Sequence, residues 1–304
     1  WEIVSVSAEP LPSVVLTHTS ADGDQGFPGT LRITATYTLD EAGDLAIEYR
    51  AETDRPTIVN LTNHAYWNLA GEGAAEGAMG HVLTIPAEHF LPTDASAIPT
   101  GEFAPVAGTP FDFREPVMIG ARVRDASHPQ IRIGNGYDHN WVVARERGAE
   151  PRLVARLAHG PSGRMLEVLS TEPGVQFYSG NFLDGSLLGS QGASLRQGDG
   201  LCLETQHYPD SPNQPQFPDT ILRPGQSYRS VVQLADAYDM RKSGTYTITL
   251  ASSLQHGSMS DGSMLKSSRG LPLTHLIDPQ GKLAHSFLGP VTAADIEQQI
   301  AAAK

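Results

Sequence analysis

The stretch LRITATYTL, residues 31–39, decides the fold class of this chain. Apolar side chains occupy every second position from Leu31 to Leu39, and Arg32 and threonines occupy the positions between them. This period of two is typical of a strand with one buried face. The turn sequence DEAGD follows, and LAIEYRAE then repeats the alternation. Together the two runs predict a β-hairpin.

Similar short runs recur along the chain and are bounded by Gly, Pro, Asn or Asp. They are HVLTIPA, NWVVARE, RLVARLAH, RMLEVLST, VQFYSGNF, LCLETQ, SYRSVVQLA and TYTITLAS. Many strands with almost no helices predict an all-β fold, either a β-sandwich or a barrel. One helix is predicted at the C-terminus, in TAADIEQQIAAAK, where Thr292 can act as the N-cap.

The chain divides into three predicted segments. Residues 1–240 hold the main β-domain. Residues 241–270 are predicted to form a linker or an extra strand, because SSLQHGSMSDGSMLKSSRG is rich in Ser and Gly and has no apolar period. Residues 271–304 predict a short ββα tail, with two strands around a DPQG turn before the terminal helix.

The composition excludes several classes of function. A formal net charge of -13 over 304 residues disfavours phosphate backbones and anionic lipid surfaces, so we expect neither a nucleic-acid nor a membrane partner. No apolar run approaches the roughly 20 residues that span a bilayer. We expect a cytoplasmic protein, with the periplasm as the alternative, because a single cysteine does not separate the two compartments.

Metal chemistry receives little support from the sequence. Cys202 is the only cysteine, which argues against a disulfide and against a thiolate zinc site. The chain has 11 histidines, but no HExxH or HxH motif occurs. We therefore expect no metal.

Four polar clusters could carry chemistry. They are NLTNHAYWNL with His64, GYDHNW with Asp138 and His139, EPGVQFYSGNFLDG with Gln176, and LCLETQHYPDSPNQPQFPD with Glu204 and His207. Distant segments of an all-β fold can line one concave face, so the clusters could share a site. A histidine and a glutamate can exchange protons with a neutral polyol near pH 7. Tyr66, Trp67 and Tyr178 could stack on the apolar face of a sugar ring.

Each residue also has a structural interpretation. His64 could be a buried histidine satisfied by its neighbours. Glu204 lies in an apolar strand, so it needs either a partner or a function if it is buried. Asp138 and His139 could build a turn, and only one of them should face a given pocket. His207 is predicted to be an exposed loop residue, because YPDSPNQP follows it.

Taken together, the clusters resemble the aldose 1-epimerase, or galactose mutarotase, family. The resemblance runs from residue 1 to about residue 235 and rests on the following stretches, in the order of the family: DGDQGFPGTLRITATYTL, NLTNHAYWNLAG, FLPTDASAIPTGEFAPVAGTPFDFREP, GYDHNW, PGVQFYSGNFLDG and LETQHYPDSPNQPQFPDTILRPGQSY. It implies a large antiparallel β-sandwich that interconverts the α and β anomers of free aldoses such as galactose and glucose. It also implies that no cofactor is needed.

The resemblance further implies roles for single residues. By motif match, His64 is the general acid that protonates the ring oxygen, and Glu204 is the base that takes the proton of the anomeric hydroxyl. Asp138 and Gln176 would hold sugar hydroxyls, and Asn63 beside the histidine is a further candidate for substrate binding. The alternatives are a carbohydrate-binding protein without turnover, a sugar-phosphate epimerase, for which few basic residues are present, and a fragment without function.

The sequence departs from the family at both ends. Family members carry an earlier strand with an arginine in a GRVANRI-like motif and a histidine in an LHGG-like motif, and neither occurs in these 304 residues. We therefore expect weak or absent mutarotation, exposed apolar edges, and a homo-oligomer if a second copy supplies the missing groups. The final 34 residues resemble the last ββα of thioredoxin-like thiol reductases, with Pro272 in place of their cis-proline and no CxxC, so no redox activity is expected.

Overall fold

The computed structural model describes residues 1–189 and 192–235. It also gives the backbone of three strands further along the chain, at 246–250, 273–277 and 283–288. The predicted linker and terminal helix lie almost entirely outside these residues. In the described part, no helix is long and apolar enough to cross a membrane.

The first half of the described chain contains ten strands. They are β1 (Glu2–Ser7), β2 (Ser13–Ser20), β3 (Leu31–Leu39), β4 (Leu45–Thr53), β5 (Thr57–Ile58), β6 (Tyr66–Trp67), β7 (Val82–Thr84), β8 (His89–Leu91), β9 (Ala104–Pro105) and β10 (Val117–Met118). One α-helix, α1 (Pro129–Gly134), follows them. Short 3₁₀ turns lie at Asp24–Gly26, Ile119–Ala121 and Ser211–Asn213.

The remaining strands follow α1. They are β11 (Asp138–Val142), β12 (Arg152–His159), β13 (Arg164–Ser170), β14 (Gly174–Tyr178), β15 (Asp184–Leu188), β16 (Ser194–Arg196), β17 (Leu201–Gln206), β18 (Ile221–Leu222), β19 (Tyr228–Ala235), β20 (Tyr246–Leu250), β21 (Leu273–Ile277) and β22 (Leu283–Leu288). Every described pairing between strands is antiparallel.

Two large sheets form the sandwich. The first has nine strands in the order β1-β2-β3-β4-β19-β13-β12-β7-β10, and the second has six in the order β6-β17-β14-β11-β8-β9. The hairpin predicted from residues 31–52 is confirmed as β3 and β4, which pair from Leu31 opposite Thr53 to Leu39 opposite Leu45. The predicted β-sandwich class is therefore confirmed.

One continuous hydrophobic core lies between the two sheets. Ile33 and Leu157 enter it from the nine-stranded sheet, and Trp141, Phe177 and Leu203 enter it from the six-stranded sheet. Complete burial of such a side chain stabilises the fold by roughly 1.5–3 kcal/mol. The core thus fixes which face of each strand points inward, and it leaves the opposite face of the six-stranded sheet free for other groups.

The strands β1 and β2 were not predicted. They extend the nine-stranded sheet beyond the hairpin, and β1 is its last strand. Ile3 and Val4 on β1 are 42% and 61% exposed, because no further strand of the described chain covers them. This agrees with the expectation of exposed apolar edges.

Three strands beyond residue 245 form a separate small sheet in the order β20-β21-β22. The two strands predicted around the DPQG turn correspond to β21 and β22, which pair in antiparallel fashion. The predicted helix after them lies outside the described residues. The division into segments at 240 and 270, and the likeness of the tail to thiol reductases, stay predictions.

Candidate active site

The middle strands of the six-stranded sheet carry polar side chains on the face opposite the core. Because side chains alternate along a strand, Leu203 and Phe177 face the core while Glu204 and Gln176 face outward. Gln176 on β14 lies directly opposite Glu204 on β17. Asn140 on β11 lies directly opposite Gln176. Since directly opposite side chains are about 5 Å apart, these three groups form a continuous polar row.

A second row runs beside the first, two residues along each strand. Asp138 lies opposite Tyr178, Tyr178 opposite Cys202, and Cys202 opposite Tyr66. Tyr66 and Tyr178 meet edge to face, with ring centroids 6.2 Å apart. The sheet register therefore brings four distant sequence segments to one patch without any helix.

This patch forms the floor of an open cavity of about 460 Å³, a size that suits a small ligand. Most of its lining side chains are polar or aromatic. They are His64, Tyr66, Leu91, Thr93, Ala97, Pro99, Asp138, His139, Asn140, Gln176, Tyr178, Phe182, Glu204, Gln206 and Pro209.

His64 reaches this cavity from an irregular loop that is tied down at both ends. Asn60 donates a hydrogen bond to the carbonyl of His207 at 3.2 Å and accepts one from the backbone N–H of His207 at 2.9 Å. At the other end, the side chain of Asn68 donates to the carbonyl of Asp199 at 2.9 Å. Both anchors flank β17, so the loop holds His64 in a fixed position relative to Glu204.

Replacing Asn60 by alanine should loosen this anchor. We expect a loss of about 1–3 kcal/mol in the free energy of unfolding, because the buried N–H of His207 loses its acceptor. We also expect a lower rate of any reaction that uses His64, with little change in ligand affinity. Chemical denaturation and steady-state kinetics measure the two effects. Asn213→Ala is the control, since Asn213 is exposed, and equal losses in both variants would contradict the anchoring role.

The imidazole of His64 has a partner at each nitrogen. Its Nε2 lies 3.4 Å from Oε1 of Glu204, and its Nδ1 lies 3.4 Å from Sγ of Cys202. Burial raises the pKa of Cys202, so this group is a thiol rather than a thiolate. A thiol can donate to Nδ1 of a neutral ring, or accept from Nδ1 when both nitrogens carry protons, and in either case Nε2 carries a proton beside Glu204.

Glu204 is buried in an unusual electrostatic environment. It is 1% exposed, and its Oε2 atom has no hydrogen-bond partner. Burial, and secondarily the nearby charge of Asp138, raise the pKa of Glu204 to about 8. Burial also raises the pKa of Asp138, which accepts a hydrogen bond from Gln176 at 2.9 Å. A carboxyl group with its pKa near neutrality is suited to proton transfer.

Several buried polar atoms of the first row have no hydrogen-bond partner within the described chain. They are Oε2 of Glu204, Oε1 of Gln176, and both Oδ1 and Nδ2 of Asn140. Buried polar atoms are nearly always hydrogen-bonded in proteins, so this group calls for a ligand or for water. Gly174 makes the arrangement possible, because a Cβ atom there would lie 2.3 Å from Oδ1 of Asn140.

Four of the five predicted site residues thus lie on one cavity, namely His64, Asp138, Gln176 and Glu204. The fifth, Asn63, is not among the lining residues. Its Oδ1 accepts a hydrogen bond from the backbone N–H of Ala65 at 3.2 Å, which shapes the loop around His64. This hydrogen bond supports the loop, and substrate binding by Asn63 stays a prediction.

Two further expectations can be compared with the structure. Trp67 packs against the core and does not line the cavity, unlike Tyr66 and Tyr178. His139 packs edge to face against Phe111, so Asp138 alone of the pair offers its side chain to the polar row. Burial lowers the pKa of His139 to about 3, which keeps this ring neutral.

The prediction for His207 was wrong. This residue is 3% exposed rather than a surface loop residue, because its Nδ1 lies 2.6 Å from Oε2 of the fully buried Glu172. The guanidinium of Arg147 lies 3.3 Å from Oε1 of Glu172 and stacks over the ring of Tyr228. Burial alone would raise the pKa of Glu172, but the hydrogen bond and charge of His207 and the charge of Arg147 lower it.

A second and larger cavity, of about 620 Å³, lies beside this network. Arg147 and His207 line it, but both are already paired with Glu172. Two acidic residues, Glu146 and Asp219, also line this cavity, and its remaining lining residues are neutral. The smaller cavity is the better candidate for chemistry, because it holds the contact between His64 and Glu204, a buried carboxyl group whose Oε2 has no hydrogen-bond partner within the described residues.

Asn140, Gln206 and Phe182 line the cavity, and Cys202 contacts His64 beside it, but none of the four was predicted from the sequence as a site residue. Asn140, Cys202 and Gln206 each lie two positions from a predicted site residue on a predicted strand. The period of two was therefore the signal that could have found them.

Fold and site together define a β-sandwich protein with a histidine–glutamate pair in an open polar pocket. The model of the family described as aldose 1-epimerase matches residues 1–235. The chain belongs to the aldose 1-epimerase family.

Curated relatives and solved structures agree with this assignment. The chain is 51% identical over 209 residues to galactose mutarotase of Mus musculus, which covers 69% of this chain and 58% of the relative. It is 39% identical over 236 residues to aldose 1-epimerase of Escherichia coli strain K12, covering 77% and 65%. A crystal structure of galactose 1-epimerase from Lactobacillus acidophilus matches with a TM-score of 0.66 and 28% identity, covering 77% of this chain and 65% of that one. The chain thus spans about three fifths of the length of the curated relatives it matches.

Proposed function

We propose that this chain carries an aldose 1-epimerase site, which interconverts the α and β anomers of free aldohexoses such as galactose and glucose. One observation carries the proposal: Nε2 of His64 and Oε1 of Glu204 lie 3.4 Å apart on the wall of one cavity. Family membership and the names of the matching relatives support the same activity.

The spacing of the pair suits a hemiacetal. The ring oxygen and the anomeric hydroxyl of an aldose are bonded to the same carbon, so groups 3.4 Å apart can each reach one of them. In our proposal His64 donates a proton from Nε2 to the ring oxygen, and Glu204 takes the proton of the anomeric hydroxyl. The bond from C1 to the ring oxygen breaks and an aldehyde forms.

The second half of the reaction reverses these transfers. Rotation about the C1–C2 bond presents the other face of the aldehyde. Glu204 returns its proton to the aldehyde oxygen, His64 recovers its proton from the hydroxyl that attacks C1, and the opposite anomer closes. Protons balance over the cycle, and no redox step is needed.

The remaining pocket residues suit a neutral sugar. Asp138, Gln176 and Asn140 offer buried donors and acceptors to hydroxyl groups. Tyr66, exposed by 49%, and Tyr178 offer ring surfaces to the apolar face of a pyranose. No lysine or arginine is found among the cavity's lining residues in the described part of the chain, which disfavours a sugar phosphate.

Polarimetry on freshly dissolved α-galactose tests the proposal. We expect a rate above that of the spontaneous reaction, and a rate typical of an efficient mutarotase would overturn the expectation of weak activity drawn from the sequence. Galactose binding in a calorimeter with no gain in rate would instead favour the non-catalytic carbohydrate-binding alternative. Absence of both binding and turnover would contradict the proposed site.

The acidity of Glu204 gives a prediction about pH. The base must be ionised to accept a proton, and its pKa is raised to about 8 rather than lowered. We therefore expect kcat/KM to fall about tenfold for each pH unit below 8. Initial rates between pH 5 and pH 9, corrected for spontaneous mutarotation, measure this fall in kcat/KM. A flat profile down to pH 5 would contradict the raised pKa. Several other titratable groups surround the base, namely His64, Tyr66, Asp138, Tyr178 and Cys202. The pH at which kcat/KM begins to fall therefore reports an apparent pKa of the whole cluster.

For location and assembly we keep the expectations from the sequence as proposals: a cytoplasmic protein, whose small-molecule partner is the sugar. Size-exclusion chromatography coupled to light scattering tests whether copies associate.

A further inference from the structure

Cys202 has no assigned role in the proposed reaction, although it touches the proposed acid. Its side chain is fully buried, and its Sγ lies 3.4 Å from Nδ1 of His64. One donor atom from each of His64, Cys202 and Glu204 can be chosen so that all three lie within 4.8 Å of one another. A nitrogen, a sulfur and an oxygen donor therefore lie together beside the cavity, which His64 and Glu204 line.

We propose that His64, Cys202 and Glu204 form a binding site for a thiol-preferring divalent cation such as Zn²⁺. The cation would take the place of the proton between sulfur and imidazole. Tetrahedral zinc, with Zn–S near 2.3 Å and Zn–N near 2.0–2.1 Å, puts its sulfur and nitrogen ligands about 3.5 Å apart. The observed separation of 3.4 Å already matches this value.

A second and independent observation supports the site. Glu204 is 1% exposed, and its Oε2 atom has no hydrogen-bond partner in the described chain. Oε1 of Glu204 lies 3.4 Å from Nε2, on the other side of the ring from Cys202, so the carboxylate supplies the third ligand only after its side chain turns towards Nδ1. The open cavity would leave the fourth position to water. Asp138 adds a further carboxyl group nearby, so the cavity attracts a cation.

The set of donors selects among metals. Thiolate and imidazole ligands favour zinc and similar ions, whereas Mg²⁺ and Ca²⁺ prefer oxygen ligands throughout. The sequence pointed away from a thiolate zinc site because no second cysteine is present. The structure instead brings together three unlike residues from a loop and one strand, which no spacing motif describes.

A zinc ion bound at this site would coordinate both His64 and Glu204, so neither group could exchange protons with a sugar. The binding itself rests only on the three donors, whereas the resulting inhibition rests on the proposed function. The test therefore reads binding directly and does not depend on turnover.

The experiment is calorimetric titration of the chelator-treated, tag-free protein with Zn²⁺, and with Mg²⁺ for comparison. We expect one zinc per chain and no heat of binding from Mg²⁺. Cys202→Ser and Glu204→Gln should each weaken zinc binding at least tenfold, since even the loss of an outer partner of a metal site costs about 10- to 100-fold. His18→Asn is the matched control, because His18 lies on β2, outside the cavity, and it should bind zinc as the unchanged chain does.

Two outcomes would overturn the proposal. One is the absence of stoichiometric zinc binding by the unchanged chain. The other is equal affinity in the unchanged chain and in both ligand variants, with circular dichroism confirming that the variants are folded. Co²⁺ gives a second readout, because a thiolate-to-cobalt absorption band should appear in the unchanged chain and vanish in Cys202→Ser. Failure of mutarotation with intact zinc binding would count against the proposed function alone.

Discussion

Glu204→Gln should lower kcat for galactose anomerisation by about 100- to 10,000-fold relative to the unchanged chain, the range typical for loss of a general base. The glutamine keeps the shape of the side chain but cannot accept the proton of the anomeric hydroxyl. Galactose affinity should change little, because Asp138, Gln176 and Asn140 remain in place. Polarimetric progress curves and calorimetric titration with galactose measure the two quantities separately.

Stability provides the control for this variant. Because the folded-state pKa of Glu204 is raised above its ordinary value of 4.5 to about 8, the folded state binds more protons, and this group makes folding less favourable as the pH rises between these values. Glu204→Gln removes that cost, so the variant should be at least as stable as the unchanged chain at pH 8. An unchanged kcat in a folded Glu204→Gln variant would contradict the assignment of Glu204 as the base.

The two proposed catalytic residues should act as a unit. His64→Asn should lower kcat to a similar extent, and the double variant should be little worse than either single variant. If the loss of kcat in the double variant equals the product of the losses in the two single variants, the two residues act independently. Glu102→Gln is the matched control for the carboxyl change, since Glu102 is exposed and does not line the cavity.

Glu172→Gln should lower the free energy of unfolding by about 3–5 kcal/mol, the usual effect of breaking a buried ion pair. Glu172 is fully buried and neutralises Arg147, while His207 lies 2.6 Å from its Oε2. Without the carboxylate, the guanidinium and the imidazole face each other at 3.4 Å with no anion between them. Urea denaturation followed by tryptophan fluorescence measures the loss.

The control is a carboxylate in an exposed pair. Glu88 lies 2.7 Å from Arg114, but its side chain is 70% exposed, so Glu88→Gln should cost less than about 1 kcal/mol. A loss below 1 kcal/mol in Glu172→Gln would contradict the importance of the network. Because Asn60 binds the backbone of His207, we also expect the Glu172 variant to perturb the loop that carries His64.

The sequence could predict the elements that follow a clear local pattern. The alternation in residues 31–39 and 45–52 gave β3 and β4 almost to the residue. It could not predict the role of β1, whose side chains are exposed on both faces because it ends the sheet. Position in a sheet depends on pairing with distant strands, and local periodicity carries no information about it.

The site shows the same limit. The polar clusters containing His64, Asp138, Gln176 and Glu204 were apparent in the sequence, and the register of the sheet brought them together. His207 was misplaced because its neighbours in sequence are typical of a loop, whereas its burial is determined by Glu172, 35 residues earlier. Asn63 was predicted to bind substrate because its neighbour His64 is in the site, but adjacent residues of a loop need not point the same way, and Asn63 is not among the lining residues of the cavity.

The alternation of β11, β14 and β17 has a consequence for inactivating mutations. A slip of β17 by one residue would turn Leu203 towards water and Glu204 towards the core, since each side chain changes sides. Misfolding and loss of chemistry would then be a single event, with no inactive but soluble species between them. Variants that shift the register of these strands should therefore disappear from the cell by degradation, whereas His64→Asn and Glu204→Gln, which leave the register unchanged, should accumulate as folded, inactive protein.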